Sequence, residues 1–94
     1  MSDIQASILV VDDDAFVAEM LAMILSCNGY QVETAAHGRE ALAKMEKLPE
    51  ISLVISDMNM PEMNGLELIE AIRGRESDVP IIILTGNSEI SLAI

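Results

Sequence analysis

The sequence predicts an α/β domain in which helices connect the strands of a parallel sheet. Short apolar runs rich in β-branched residues alternate along the chain with segments whose apolar residues recur at helical spacing. The run from Ile81 to Leu84 contains no polar side chain, as is typical of a strand buried on both faces of a parallel sheet. With 94 residues and no apolar stretch of transmembrane length, the chain has room for one small domain.

The first half of the chain contains a strand, a helix and a second strand. The apolar run 8–11 predicts the first strand, and apolar residues at helical spacing predict a helix over about 15–28. Asn28 and Gly29 supply the stop signal of that helix, and residues 30–35 form the second strand. The apolar positions of the helix are Phe16, Val17, Met20, Leu21, Ile24 and Leu25.

The second half repeats this alternation. Gly38 is the turn before a short helix, and residues 51–57 form the third strand. Asn64 caps a further helix that ends at Gly74, and the fourth strand follows. Residues 88–94 are typical of the capped start of a helix too short to stand alone. The short helix carries Ala41, Leu42 and Met45 as its apolar residues, and the capped helix has Leu66, Ile69 and Ile72 on its buried face.

Three carboxylates stand directly at strand ends. Asp12 and Asp13 follow the first strand, and Asp57 ends the third. Because parallel strands deliver their carboxyl ends to one edge of the sheet, these side chains are expected to share one pocket. Clustered carboxylates repel one another unless a cation joins them. The pattern therefore predicts a divalent cation, magnesium above all, beside a reactive aspartate.

The charge of the chain restricts its partners. Sixteen acidic residues against five Lys and Arg give a formal net charge of −11, which opposes direct binding to nucleic acids and anionic membranes. Cations and proteins with basic surfaces are therefore the partners that this charge favours. The single Cys27 cannot form a disulfide within the chain, and no basic segment leads into a signal-peptide core. We expect a cytoplasmic location.

Three motifs occur in order along the chain, each at a predicted strand end. They are Ile8-Leu9-Val10-Val11-Asp12-Asp13, then Ser56-Asp57-Met58-Asn59-Met60-Pro61 with Gly65, and finally Ile83-Leu84-Thr85-Gly86. In these motifs the sequence resembles the receiver domain of bacterial two-component response regulators. The resemblance implies a CheY-like, flavodoxin-like doubly wound parallel sheet with strand order 2-1-3-4, truncated before the fifth strand. Residues 1–94 would then form one receiver domain that is incomplete at its C-terminus.

The resemblance also implies a chemistry for each motif residue. Asp57 would accept a phosphoryl group from a histidine kinase, a phosphotransfer protein or a small phosphodonor, as a self-phosphorylating module and not as a turnover enzyme. Asp13, Asp57 and the backbone carbonyl of Asn59 would ligate Mg²⁺, and Asp12 would act through a water molecule on the ion. Thr85 would donate its hydroxyl to a phosphoryl oxygen.

The sequence departs from this family after Thr85. The family pattern continues with a helix, a strand, a Lys-Pro dipeptide and a last helix, none of which is present. Lys44 and Lys47 lie on the predicted second helix, so neither replaces the phosphate-contacting lysine of the family. The strand 81–84 would become an uncovered sheet edge, which predicts self-association through that strand and the terminal segment.

Other interpretations remain open. A receiver fold could serve as an interaction scaffold without phosphorylation, which the truncation favours and the complete acidic set opposes. A phosphatase of the aspartyl-phosphate type needs a second aspartate two positions after the nucleophile, where this chain has Asn59. Structural roles are also available: Asp14 caps the first helix, Asp57 could be a turn acid before Pro61, and Thr85 could be an ordinary strand residue.

Overall fold

A computed structural model describes residues 6–84 and the backbone of residues 90–93. The strands are β1 (Ser7–Val11), β2 (Gln31–Ala35), β3 (Ile51–Asp57), β4 (Ile81–Leu84) and β5 (Ile90–Ala93). The helices are α1 (Ala15–Cys27), α2 (Gly38–Lys47) and α3 (Gly65–Gly74). The strands form one sheet in the order β2-β1-β3-β4-β5, with β1 to β4 parallel. The predicted parallel order 2-1-3-4 is confirmed.

Side-chain caps define where α1 and α3 begin. The carboxylate of Asp14 accepts hydrogen bonds from the backbone amides of Phe16 and Val17, as predicted for the start of α1. Asn64 and Glu67 form a reciprocal capping box at the start of α3, with both hydrogen bonds at 2.9 Å. These caps satisfy amides that a helix leaves without partners in its first turn, so they fix the chain just after β1 and just before α3.

Helix α2 begins at an unusual cap. The Nδ1 atom of His37 accepts the backbone amide of Glu40 at 3.2 Å, and the carboxylate of Glu40 accepts the amide of Ala36 at 2.7 Å. This backbone hydrogen bond is the main cause that lowers the pKa of Glu40. Lys44 donates to the carbonyl oxygen of Thr34 and also pairs with Glu40. The start of α2 is thereby tied to the end of β2.

The larger core lies between the sheet and the helices α2 and α3. On α3, Leu68 and Ile72 are fully buried, whereas Leu66 is 57% exposed. The prediction that Leu66 belongs to the buried face is therefore wrong, because the stripe at positions 68 and 72 is the one that faces the sheet. The fully buried members of this core include Leu9, Val11, Ala41, Val54, Leu68, Ile72 and Ile81.

The opposite face of the sheet is covered by α1. Ala18 is buried on Ile8 and Val10, and Leu21 and Leu25 pack against this smaller cluster. Three residues of the predicted stripe, Phe16, Met20 and Ile24, are instead exposed, because among the described residues no second helix lies beside α1 on this face. The exposed fractions are 75% for Phe16, 51% for Ile24 and 41% for Met20. None of the described helices is long and apolar enough to cross a membrane.

The chain after β4 differs from the prediction. Residues 90–93 form β5, an antiparallel strand that pairs Leu84 with Ile90 and Ile81 with Ala93, and not the start of a helix. A short helix gains little by itself, while pairing satisfies the backbone groups along the side of β4 that faces away from β3. The expectation that β4 is an uncovered edge is therefore wrong, and self-association through that edge loses its basis. Self-association itself stays a prediction.

Candidate functional site

The carboxyl ends of β1 and β3 lie side by side in the sheet. The register pairs Val11 with Ser56, so Asp12, directly after β1, and Asp57, the last residue of β3, lie at the same edge of the sheet. One oxygen atom from each of Asp12, Asp13 and Asp57 lies within 4.8 Å of the other two. The structure therefore brings together the three acids that the sequence placed at strand ends. We call these three residues the acidic pocket.

Asp12 is the most deeply placed member of the acidic pocket, with 8% of its surface exposed. Burial raises the pKa of Asp12, while the Asp14 amide opposes this by donating a hydrogen bond of 2.8 Å to Oδ1. The negative charges of Asp57, Asp13 and Asp14 raise the pKa further. The pocket thus carries repulsion between like charges that a bound cation would relieve.

Lys44 of α2 and Arg75 at the end of α3 each form ion pairs with glutamates outside the acidic pocket. Lys44 lies 3.9 Å from Glu33 and 3.7 Å from Glu40, and Arg75 lies 3.0 Å from Glu46. The pair of Lys44 with Glu33 connects α2 to β2, whereas its pair with Glu40 lies within α2. The pair of Arg75 with Glu46 connects the end of α3 to α2. Lys44 is thus held at the end of β2. That it does not serve as the phosphate-contacting lysine stays a prediction.

The chain leaves β3 through a loop that is fixed at both ends. The amide of Met58 donates to the carbonyl oxygen of Leu84 at 3.0 Å, and the amide of Gly65 donates to that of Met58 at 2.8 Å. Within the loop, Glu62 adopts a positive φ of 69°, and Met63 packs against the Cα of Gly38 at the start of α2. The segment after Asp57 is therefore held by β4, α3 and α2 together.

Two further predicted site residues, Asn59 and Thr85, are not members of the acidic pocket as defined. Asn59 is in the loop after β3, two residues past Asp57, and its side chain is exposed. Thr85 lies outside the described residues. The contribution of either residue to the site stays a prediction.

Sequence reasoning gave no role to Ser56. This residue is fully buried, and its hydroxyl donates a hydrogen bond of 2.9 Å to the carbonyl oxygen of Asp57. The sequence did contain a signal for such a role, because Ser56 is a polar residue in the apolar run that leads to Asp57. Buried hydroxyls are expected to find a hydrogen-bonding partner. Sequence alone could not show that this partner is the backbone of Asp57.

Comparison with known proteins gives one consistent result. Residues 8–94 match the family model described as the response regulator receiver domain. The response regulator MprA of Mycobacterium tuberculosis strain H37Rv is 45% identical over 84 residues, which cover 89% of this chain and 36% of that protein. The transcriptional regulatory protein GlrR of Escherichia coli K12 is 38% identical over 94 residues, which are 100% of this chain and 21% of that protein.

Several solved structures are also similar to this chain, both in sequence and in fold. The chemotaxis protein CheY4 of Vibrio cholerae superposes with a TM-score of 0.80 at 43% identity, covering 84% of this chain and 67% of that chain. A response regulator receiver protein from Pseudomonas putida gives a TM-score of 0.85 at 30% identity, covering 94% of this chain and 74% of that chain. The chain spans 36% of the length of curated relatives such as MprA.

Proposed function

Since this chain belongs to the response regulator receiver domains of two-component systems, we propose that Asp57 is its phosphoacceptor. The observation that carries the proposal is the acidic pocket, in which Asp12, Asp13 and Asp57 converge at the carboxyl ends of β1 and β3. The phosphodonor would be a histidine kinase, a phosphotransfer protein or a small acyl phosphate.

The proposed transfer forms one bond and breaks one. A carboxylate oxygen of Asp57 attacks phosphorus, and the bond from phosphorus to the donor nitrogen or oxygen breaks with its electron pair going to the donor. The product is an acyl phosphate on Asp57. Catalysis of this kind rests on positioning and electrostatic stabilisation, because the transferred group is already strongly anionic. Each chain accepts one phosphoryl group, and Asn59 gives no second acid for phosphatase turnover.

The acidic pocket fits a magnesium ion by the chemistry of its donors. Carboxylate oxygens are the ligands that Mg²⁺ takes in phosphoryl-transfer sites, and the raised pKa of Asp12 reflects burial and the repulsion that a cation would offset. In the proposal, Asp13, Asp57 and the carbonyl of Asn59 hold the ion, and Asp12 does so through water. When bound, the ion neutralises charge on the pocket and on the phosphoryl group.

Other residues of the chain position these groups. The amide of Asp14 orients the carboxylate of Asp12 through its hydrogen bond, and the Asp12 amide is anchored on the carbonyl of Ala35 at 3.0 Å. We assign Thr85 the phosphoryl contact through its hydroxyl. A cytoplasmic location is part of the proposal, and the net charge of −11 favours a partner with a basic surface over nucleic acids or anionic membranes.

Beryllofluoride, a mimic of an acyl phosphate, tests the proposed function without a kinase. We expect fluorine NMR to show new bound signals in the presence of Mg²⁺, together with shifts of amide signals around Asp57. Omitting Mg²⁺ should leave the spectrum unchanged. An absent adduct under both conditions would favour the alternative in which the receiver fold is an interaction scaffold.

Replacing Asp12 with Asn should stabilise the chain in the absence of Mg²⁺ and reduce the further stabilisation that Mg²⁺ gives. The Asn side chain keeps an oxygen that can accept the Asp14 amide but removes one of the crowded charges. Without metal, relief of this repulsion should raise the melting temperature by a few degrees, corresponding to about 0.5 kcal/mol. Added Mg²⁺ should stabilise the variant much less than the wild type, because the pocket has lost a charge.

Thermal melts in EDTA and in Mg²⁺ measure both effects. Asp78→Asn is a matched control, because Asp78 is an exposed acid between α3 and β4 and lies outside the acidic pocket. That control should leave the Mg²⁺-dependent stabilisation unchanged. A D12N variant that is less stable than the wild type in EDTA would contradict the repulsion argument.

A further inference from the structure

The peptide that joins Asp57 to Met58 is held by two contacts, and a third contact holds the peptide that follows it. The Ser56 hydroxyl donates to the Asp57 carbonyl oxygen at 2.9 Å, and the Met58 amide donates to the Leu84 carbonyl oxygen at 3.0 Å. The Met58 carbonyl oxygen, on the next peptide, accepts the amide of Gly65 at 2.8 Å. Strand β4 and helix α3 therefore contribute backbone contacts, whereas Ser56 contributes a side chain.

The surroundings of the Asp57 carbonyl oxygen are tight. A Cβ atom placed on Gly65 would lie 3.0 Å from this oxygen and 3.1 Å from the Cα of Met58. The Cα of Gly65 thus closes one side of the carbonyl, and the fully buried Ser56 supplies a hydrogen bond to it. A partly buried carbonyl that loses its hydrogen-bonding partner is left incompletely solvated, so the peptide would rotate or admit water if the hydroxyl were removed.

This peptide lies between the two oxygens that the proposed function assigns to the ion from this segment. The Asp57 carboxylate precedes the peptide, and the Asn59 carbonyl follows it by two residues. The orientation of the peptide plane therefore sets the distance and angle between these two oxygens. Small departures from the required geometry weaken a magnesium site, because Mg²⁺ demands nearly ideal octahedral coordination.

We propose that Ser56 is a positioning residue of the phosphorylation site: its hydroxyl fixes the Asp57 peptide and thereby aligns the oxygens that take up Mg²⁺. The inference rests on the proposed function of Asp57 and assigns Ser56 no contact with the phosphoryl group. Groups that orient metal ligands contribute substantially to metal affinity even though they do not touch the ion.

The test compares Ser56→Ala with Ser52→Ala. Both serines lie on β3 and donate to a backbone carbonyl oxygen, but Ser52 donates to Ser7 at 3.3 Å, at the end of the strand far from the acidic pocket. We expect S56A to raise the dissociation constant for Mg²⁺ about tenfold, as is typical when an orienting group is lost. S52A should leave it within about twofold of the wild type, in keeping with an exposed surface site. Amide NMR titration with Mg²⁺ gives these constants, and thermal melts confirm folding.

Ser56→Cys separates hydrogen bonding from packing. The thiol fills the space of the hydroxyl but is a weak donor, so S56C should share the loss of Mg²⁺ affinity seen for S56A. Wild-type affinity in either S56A or S56C would overturn the inference while leaving the proposed function intact. Failure of both variants to fold would make Ser56 a core residue and would also overturn it. A wild-type chain that binds no Mg²⁺ would overturn the proposed function and the inference together.

Discussion

Replacing Asp57 with Asn is expected to abolish phosphorylation by acetyl phosphate. The amide has nearly the shape of the carboxylate but is not a nucleophile of comparable strength, and it removes one charge from the acidic pocket. Asp12 and Asp13 remain in the variant, but each would have to take over as acceptor from a different strand end. Phosphate-affinity electrophoresis of the wild-type and variant chains after incubation with acetyl phosphate and Mg²⁺ measures the loss.

The matched control for this variant is again Asp78→Asn, since Asp78 is exposed and stands outside the acidic pocket. The control should be phosphorylated like the wild type. Phosphorylation of the D57N variant to the wild-type extent would contradict the assignment of Asp57 as the acceptor.

Replacing Gly65 with Ala is expected to be strongly destabilising. The added Cβ would lie 3.0 Å from the carbonyl oxygen of Asp57, 3.1 Å from the Cα of Met58 and 3.2 Å from the Cδ1 of Ile83. Two of these neighbours are backbone atoms that cannot move aside, so the end of β3 and the start of α3 must separate. Overpacking of this kind costs about 1–3 kcal/mol, or a fall in melting temperature of about 4–8 °C for each kcal/mol.

Gly74, at the other end of α3, provides the comparison. A Cβ on Gly74 meets nothing within 4 Å, so Gly74→Ala should be neutral or stabilising by up to about 1 kcal/mol. Urea denaturation of the two variants measures the difference. Equal stability of G65A and G74A would contradict the close packing of Gly65 against the end of β3.

Features encoded by local sequence were predictable. The strand at 51–57, the cap at Asn64 and the cap at Asp14 were each placed correctly, because neighbouring residues determine them. The convergence of Asp12, Asp13 and Asp57 was also predictable, since parallel strands bring their carboxyl ends to one edge.

Features that depend on contacts between distant parts of the chain could not be predicted from the sequence. Helical spacing identifies the apolar residues of α1, but it cannot tell that Phe16 is 75% exposed, since this depends on what lies beside the helix. The antiparallel pairing of β5 with β4 overrode the helical pattern predicted for residues 88–94. The contact of Ser56 with the Asp57 backbone also required the structure, because the sequence does not show which group a buried hydroxyl meets.

The most direct test of the central claim is to locate the phosphoryl group by tandem mass spectrometry after incubation with acetyl phosphate, with Mg²⁺ and with EDTA. The acidic pocket formed by Asp12, Asp13 and Asp57 predicts one phosphoryl group per chain, on Asp57, in Mg²⁺ and none in EDTA. A phosphoryl group on another residue, or an unmodified Asp57 under both conditions, would contradict the account.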